Sequence, residues 1–158
     1  MKIPEQVSDD KSIIGLHEQV KSGLLFGLSS AAITVTGLMV GLNYGTRSRL
    51  AVLGGILTIA FADALSDSLG LHISEKSKVK TTDREVWLTT LSSLTAKFML
   101  TLTYALPVLF LDLSTAVILA LAWSTIIVFV ISLLISREQK KSLLKVFKDL
   151  YNDGLIYR

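Results

Sequence analysis

The sequence predicts an all-α integral membrane protein with four transmembrane helices and with amphipathic interfacial helices at both ends. Hydrophobic residues make up 51% of the 158 residues, and the mean hydropathy is +0.57. Both values are too high for an ordinary soluble domain. Four apolar runs are each close to the roughly 20 residues that a spanning helix needs. They cover residues 24–42, 50–71, 86–111 and 115–135, so that residues 1–158 form a single membrane domain.

The segments that flank these spans predict the topology. With both termini in the cytoplasm, the outer connections hold only Arg47 and Arg49, and Lys97 is the one basic residue within a span. The remaining Lys and Arg residues then lie inside, as the positive-inside rule requires. The net charge of +3 therefore needs no nucleic acid to explain it, and the expected partner is the lipid bilayer.

Amphipathic segments precede the first span and follow the last. Residues 11–21 place Ile13, Leu16 and Val20 at helical spacing beside charged residues, and residues 138–152 combine an apolar face with four lysines. Such helices are typical of segments that lie on the anionic inner leaflet.

Acidic residues interrupt the second span. An ionised side chain near the bilayer centre costs from about 3 to over 10 kcal/mol, so it usually faces a polar cavity, pairs with a cation or binds one. Asp63 and Asp67 are one helical turn apart on one face, where two carboxylates can share a divalent cation or exchange a proton. His72 lies nearly opposite Asp63 on a straight helix, and Glu75 lies at the inner end.

Lys97 on the third span is predicted at a depth similar to that of Asp63, because both are about 12–15 Å from the inner ends of their helices. Two alternatives follow. Asp63 and Lys97 form a structural ion pair, or the acids also meet a substrate cation, with Lys97 as the resident counter-cation. Asp67 has no obvious cation in the sequence and is the sharper functional candidate.

Other signals concern packing, helix ends and chemistry. Gly37 and Gly41 form a GxxxG motif that permits close helix approach. Residues 43–46 are predicted to form an outer turn. Pro107 is expected to kink or end the third span. Thr82 or Asp83 is the expected cap of that span. The chain has no cysteine and no P-loop, HExxH or nucleophile-elbow motif, so no enzyme and no bound cofactor are predicted.

The second span, from Ala62-Asp63-Ala64-Leu65-Ser66-Asp67 to Glu75-Lys76-Ser77, resembles that of the vacuolar iron transporter family. The segments 27–41 and 105–109 resemble the family's first span and the proline-bearing end of its third. The resemblance implies a minimal, divergent homodimeric transporter that moves Fe2+ or Mn2+ against protons. Asp63 and Asp67 would be metal ligands, Ser30 would add a neutral oxygen, and Glu75 and His72 would form a cytoplasmic entrance.

This chain departs from the family's pattern at several points. Ser29, Ser30 and Ala31 align with a motif that carries an acid in the family, Asp67 replaces a methionine, and Leu71 replaces a glutamate. The cytoplasmic metal-binding helices are reduced to the loop 73–85, the fifth span is missing, and Lys97 has no identified counterpart. The alternative to a transporter is therefore a non-transporting membrane scaffold that retains the fold, with Asp63 and Lys97 as a structural ion pair.

Overall fold

The structure is a computed structural model that describes the backbone of residues 5–79 and 81–156 and the side chains of residues 15–79 and 81–137. All regular structure in these ranges is helical. The elements in chain order are α1 (Glu5–Thr46), α2 (Arg49–Thr58), a π-helical segment (Ile59–Asp63), α3 (Ala64–Lys76), α4 (Asp83–Thr103), α5 (Ala105–Phe110) and α6 (Leu113–Ile156).

Four helical stretches are long and apolar enough to cross a membrane, which confirms the predicted all-helical fold with four candidate spans. They are Gly15–Thr46, Arg49–Lys76, Asp83–Phe110 and Leu113–Arg137. Each extends beyond the apolar run that predicted it at one end or at both, because helices continue into the polar residues that flank the run. The predicted outer turn at 43–46 is wrong: α1 continues through Thr46, and the chain turns at Arg47, where φ is 50°.

The terminal amphipathic segments are not separate helices. Residues 11–21 belong to the continuous helix α1, and residues 138–152 belong to α6. The side chains of 11–14 and 138–152 lie outside the described residues, so the interfacial position of both segments stays a prediction.

The core is built on the packing of α1 against α4, with α3 and α6 on either side. Gly23 and Gly27 allow the close approach of α1: a Cβ added at Gly27 would lie 2.4 Å from the carbonyl oxygen of Ser93. A Cβ at Gly37 or Gly41 would meet no described atom within 4 Å. The GxxxG prediction is therefore wrong for packing within this chain, because that pair faces outward and the close contact is made at Gly23 and Gly27, about three to four turns before Gly37.

The second span is not one straight helix. Its middle five residues are π-helical, and the N–H of Ala64 donates to the carbonyl of Ile59, five residues earlier. Such single-turn π segments often occur at functional sites. This one ends at Asp63, so the acidic stretch begins where the helix changes its winding.

The third candidate span is interrupted near its C-terminal end, as Pro107 predicted. Pro107 has no N–H to donate to Thr103, which is the last residue of α4. Tyr104 separates α4 from α5, and its N–H bonds to the carbonyl of Thr101 in a tighter turn.

Helix α4 begins with a capping box. The Thr82 hydroxyl accepts from the N–H of Glu85, and the Glu85 carboxylate accepts from the N–H of Thr82 at 2.8 Å. We expect Thr82→Ala to lower the free energy of unfolding by about 1 kcal/mol, because one helix N–H loses its partner. Denaturation in detergent should show this loss, whereas Thr81→Ala, which lies outside the box, serves as the matched control and should leave stability unchanged.

One arginine and one acid hold the two short connections at residues 47–48 and 111–112. The Arg49 guanidinium donates to the carbonyl of Leu111 at 2.6 Å and thereby joins α2 to the end of α5. The Asp112 carboxylate accepts from the N–H of Thr115 at 2.9 Å at the start of α6. That hydrogen bond, with the nearby Arg49 charge as a smaller contribution, lowers the pKa of Asp112, so this contact is present at neutral pH and is lost only as the pH falls through the lowered pKa.

Candidate functional site

Four polar side chains from three spans meet in the interior. The Lys97 ammonium lies 2.6 Å from Asp63 Oδ2 and is paired with Asp67 Oδ2, and it donates to Ser30 Oγ at 2.9 Å. Ser30 in turn donates to Asp67 Oδ2 at 2.5 Å. We call Asp63, Asp67 and Lys97 the ion triad, with Ser30 as its hydroxyl partner.

Each helix places its contribution for a local reason. Ser30 follows Gly27 by one turn, so the close approach of α1 to α4 brings its hydroxyl to Lys97. Asp63 and Asp67 are four residues apart, which keeps both carboxylates on the side of the second span that faces α4. The long lysine side chain then reaches both acids.

Three oxygen atoms surround the ammonium, which has three N–H groups. Two of the contacts, to Ser30 and Asp67, are hydrogen bonds, and the contact with Asp63 is an ion pair whose geometry is not that of a hydrogen bond. The lysine side chain is completely buried. Such burial is tolerated because opposite charges and hydrogen bonds compensate part of the desolvation cost.

The two carboxylates are more accessible than the lysine. Their side chains are 34% exposed for Asp63 and 29% for Asp67, compared with 0% for Lys97. With all three groups ionised, the triad has a net charge of −1. The uncompensated negative charge is therefore carried by the two partly exposed carboxylates, which we call the open side of the triad, and a further cation could approach there.

The predicted pairing of Asp63 with Lys97 is present in the structure. The expectation that Asp67 lacks a cation is wrong, because Lys97 pairs with it as well. The i and i+4 spacing put both acids on one face of the helix, but whether one lysine reaches both depends on how that face is turned toward α4.

His72 and Glu75 lie apart from the triad. His72 Nδ1 is 3.0 Å from Thr90 Oγ1, and its ring packs edge-on against Trp87 on α4. Glu75 is buried at the inner end of α3 and pairs with Lys78 at 2.7 Å. The structure thus joins Ser30, Asp63 and Asp67 in one cluster and places His72 and Glu75 nearer the loop 77–82.

One protomer offers few metal ligands at this site. In the part of the chain whose side chains the structure describes, no three residues among His, Cys, Asp and Glu are close enough to hold a metal ion. The oxygen set of the triad is two carboxylates and one hydroxyl, around an ammonium. A metal ion there would need to displace that ammonium and gain ligands from water or from a second copy.

A second buried polar cluster was not predicted from the sequence. Tyr104 Oη bonds to Ser124 Oγ at 2.6 Å, Ser124 also bonds to Thr36, and Ser124 donates to the carbonyl of Ala32 at 3.0 Å. It joins α1 and α6 at the break between α4 and α5. The polar residues are visible in the sequence, but only the packing of three spans brings them together.

Comparison of this chain with known protein families, with curated proteins and with solved structures finds no match. The functional assignment therefore depends on the chemistry of the residues themselves.

Proposed function

We propose that the protein is a proton-coupled transporter of divalent metal cations, Fe2+ or Mn2+, that acts as a homodimer. The observation that supports it is that two intramembrane carboxylates share a single lysine, which leaves one negative charge uncompensated. Intramembrane acids are rare because of their cost, and they commonly mark ion or proton pathways. A cation bound at the open side of the triad would neutralise that charge.

Each residue of the cluster has a role in this proposal. Asp63 and Asp67 are the cation ligands, Ser30 supplies a neutral oxygen, and oxygen ligands suit hard and borderline divalent ions. Lys97 is the resident counter-cation that compensates one of the two negative charges until the substrate displaces its ammonium. His72 and Glu75, nearer the loop 77–82, form the entrance on the cytoplasmic side.

A second copy of the chain would complete the site. A two-fold axis beside the second span would double the number of carboxylates, so that two copies each of Asp63 and Asp67 face one ion. This supports the homodimer, because the described part of one protomer gathers too few ligands to hold a metal by itself. In this arrangement both termini lie in the cytoplasm, as the distribution of basic residues predicts.

The test is uptake of Mn2+ into proteoliposomes. We expect Asp67→Asn to reduce uptake at least about tenfold and Asp63→Asn to do likewise, since each removes a charged ligand. Asp83→Asn is the matched control, because this acid is 88% exposed at the start of α4 and should not affect uptake. If both triad variants take up Mn2+ as fast as the wild type, the proposed roles are wrong.

A second candidate function is that of a non-transporting membrane scaffold. The observation that favours it is that the Lys97 ammonium already has three oxygen neighbours and complete burial, which is what a purely structural ion cluster needs. The amphipathic tail 138–152 would then recruit partners at the membrane surface.

A charge exchange separates the two candidates. In the double variant Asp63→Lys with Lys97→Asp, a structural pair keeps its opposite charges, so the scaffold predicts a folded protein that retains its function. The transporter predicts loss of Mn2+ uptake even where the double variant folds, because the ligand geometry is changed. Folding is measured by size-exclusion chromatography in detergent, and uptake in proteoliposomes.

A further inference from the structure

A polar stripe runs along α4 and ends at Tyr104, the residue that follows it. It consists of Thr90, Ser93, Lys97, Thr101 and Tyr104, all of them buried. Their spacings of three, four, four and three residues keep them on one face of a helix. At 1.5 Å per residue this stripe is about 21 Å long, which is a large part of the roughly 30 Å thickness of the bilayer's hydrocarbon core.

Three buried hydroxyls on α3 and α4 have no hydrogen-bond partner among the described residues. They are Ser93 and Thr101 on the stripe and Ser68 on the buried face of α3. Serine and threonine hydroxyls in membrane helices commonly bond to the carbonyl of the preceding turn. Neighbours in this chain do so: Thr90 bonds to Val86 and Ser92 to Leu88. The three exceptions make neither this bond nor any other within the described residues.

The unpartnered hydroxyls stand on both sides of the ion triad. Ser93 precedes Lys97 by one turn and Thr101 follows it by one turn, about 6 Å in each direction. Ser68 adjoins Asp67 in sequence, and α3 packs chiefly on α4. Buried hydroxyls without protein partners are usually bonded to internal water, because leaving them unbonded costs about 1–3 kcal/mol each.

Further polar groups continue the stripe toward both membrane surfaces. At the inner end, Thr90 meets His72, and the buried Oε2 of Glu75 also has no partner among the described residues. At the outer end, Tyr104 meets Ser124 in the second polar cluster. Polar side chains thus follow one another from the loop 77–82 to the break between α4 and α5.

We propose that the polar stripe lines two narrow water-filled paths within a single protomer, one from each membrane surface to the ion triad. Water molecules bind Ser68 and Ser93 on the inner side of Lys97 and Thr101 on its outer side. The Lys97 ammonium, held by three oxygens, separates the two paths. They give the triad access to water and protons through the protomer itself, whether or not a metal is carried.

The absence of native cysteine makes a direct test possible. Ser68, Ser93 and Thr101 are each replaced by cysteine in the full-length chain, and the thiols are exposed to Ag+, an ion comparable in size to a water molecule. Ag+ binds a thiolate more tightly than the thioether and imidazole groups of this chain, the maleimide step reports only on the thiol, and a thiol ionises only where water reaches it. The unmodified fraction is then alkylated with a maleimide in denaturant and measured by mass spectrometry.

Matched controls come from the apolar core. Val35→Cys and Val52→Cys place thiols at positions that are equally buried but surrounded by hydrophobic residues. We expect the cysteines at 68, 93 and 101 to react at least about tenfold faster than both control cysteines, because they face water. A smaller difference in variants that elute as folded protein overturns the proposal, and three test positions allow the comparison even if one variant does not fold.

Oriented membrane vesicles test the separation at Lys97. Ag+ supplied on the side of the loop 77–82 should protect Ser93→Cys and not Thr101→Cys, and Ag+ supplied on the opposite side should give the reverse. If both thiols react from the same side, the proposed division by Lys97 is wrong. These readouts need no metal uptake, so their failure is distinct from failure of the proposed transport function.

Discussion

Replacing Lys97 with methionine is expected to lower the free energy of unfolding by about 3–5 kcal/mol, because it removes one partner of a buried ion cluster and leaves the others uncompensated. Methionine has a similar length and fills the space of the apolar stem, so the effect reports the lost ammonium. Asp63 and Asp67 would then lie side by side without a cation, and Ser30 would lose the group that donates to it. The measurement is unfolding in detergent micelles with increasing denaturant.

Lys76→Met is the matched control for this effect. Lys76 lies 4.0 Å from Asp83, and the two side chains are 65% and 88% exposed. Exposed pairs of this kind contribute about 0–1 kcal/mol, so the same substitution should change stability little. A Lys97→Met variant as stable as Lys76→Met would contradict the assigned charge balance.

A triple variant tests whether uncompensated charge causes the loss of stability in Lys97→Met. Adding Asp63→Asn and Asp67→Asn to Lys97→Met removes the whole ion triad and leaves neutral side chains. Most of the lost stability should return, since replacing a complete buried ion cluster with neutral groups is often nearly neutral. If the triple variant is less stable than Lys97→Met alone, the loss comes from altered packing and not from uncompensated charge.

Gly27→Ala is expected to destabilise the protein by about 1–3 kcal/mol, the usual cost of overpacking a tightly packed interior. The new Cβ would lie 2.4 Å from the carbonyl oxygen of Ser93 and 3.1 Å from Cβ of Ala96, so the backbones of α1 and α4 must separate. Ser30, one turn further on, would move away from Lys97. Reduced Mn2+ uptake should therefore accompany reduced stability.

The same substitution at Gly37 provides the control on the same helix. A Cβ there meets no described atom within 4 Å, and alanine favours a helix over glycine by up to about 1 kcal/mol. Gly37→Ala should thus be neutral or stabilising, opposite in sign to Gly27→Ala. Equal stabilities of the two variants in detergent unfolding would show that close packing of α1 on α4 is not as described.

The fold was largely predictable because hydropathy and helix length report directly on the membrane environment. The four spans, the cap at Thr82 and the interruption near Pro107 all follow from local chemistry. Helix ends were less predictable, since a helix continues past the apolar run wherever no residue stops it. The same reason explains why α1 continues through the predicted turn at 43–46 and ends only at Thr46.

The candidate site was predictable in part. Depth along two helices was enough to match Asp63 with Lys97, because rise per residue is nearly constant. The pairing of Lys97 with Asp67 depends on which face of the second span is turned toward α4. The π-helical segment that ends at Asp63 changes the rotation of the following residues about the helix axis. No local pattern in the sequence indicated the π-helical segment.

The sequence by itself determined the number of candidate spans, the matching levels of Asp63 and Lys97 along their helices and the absence of cysteine, because each depends on composition or on distance along one helix. Only the tertiary structure decided which faces meet. It selected Gly23 and Gly27 over Gly37 and Gly41 as the packing glycines, brought Ser30 to the ion triad, and placed His72 against Thr90. Helix rotation and crossing are set by the fit of side chains from several spans at once, which a single stretch of sequence does not contain.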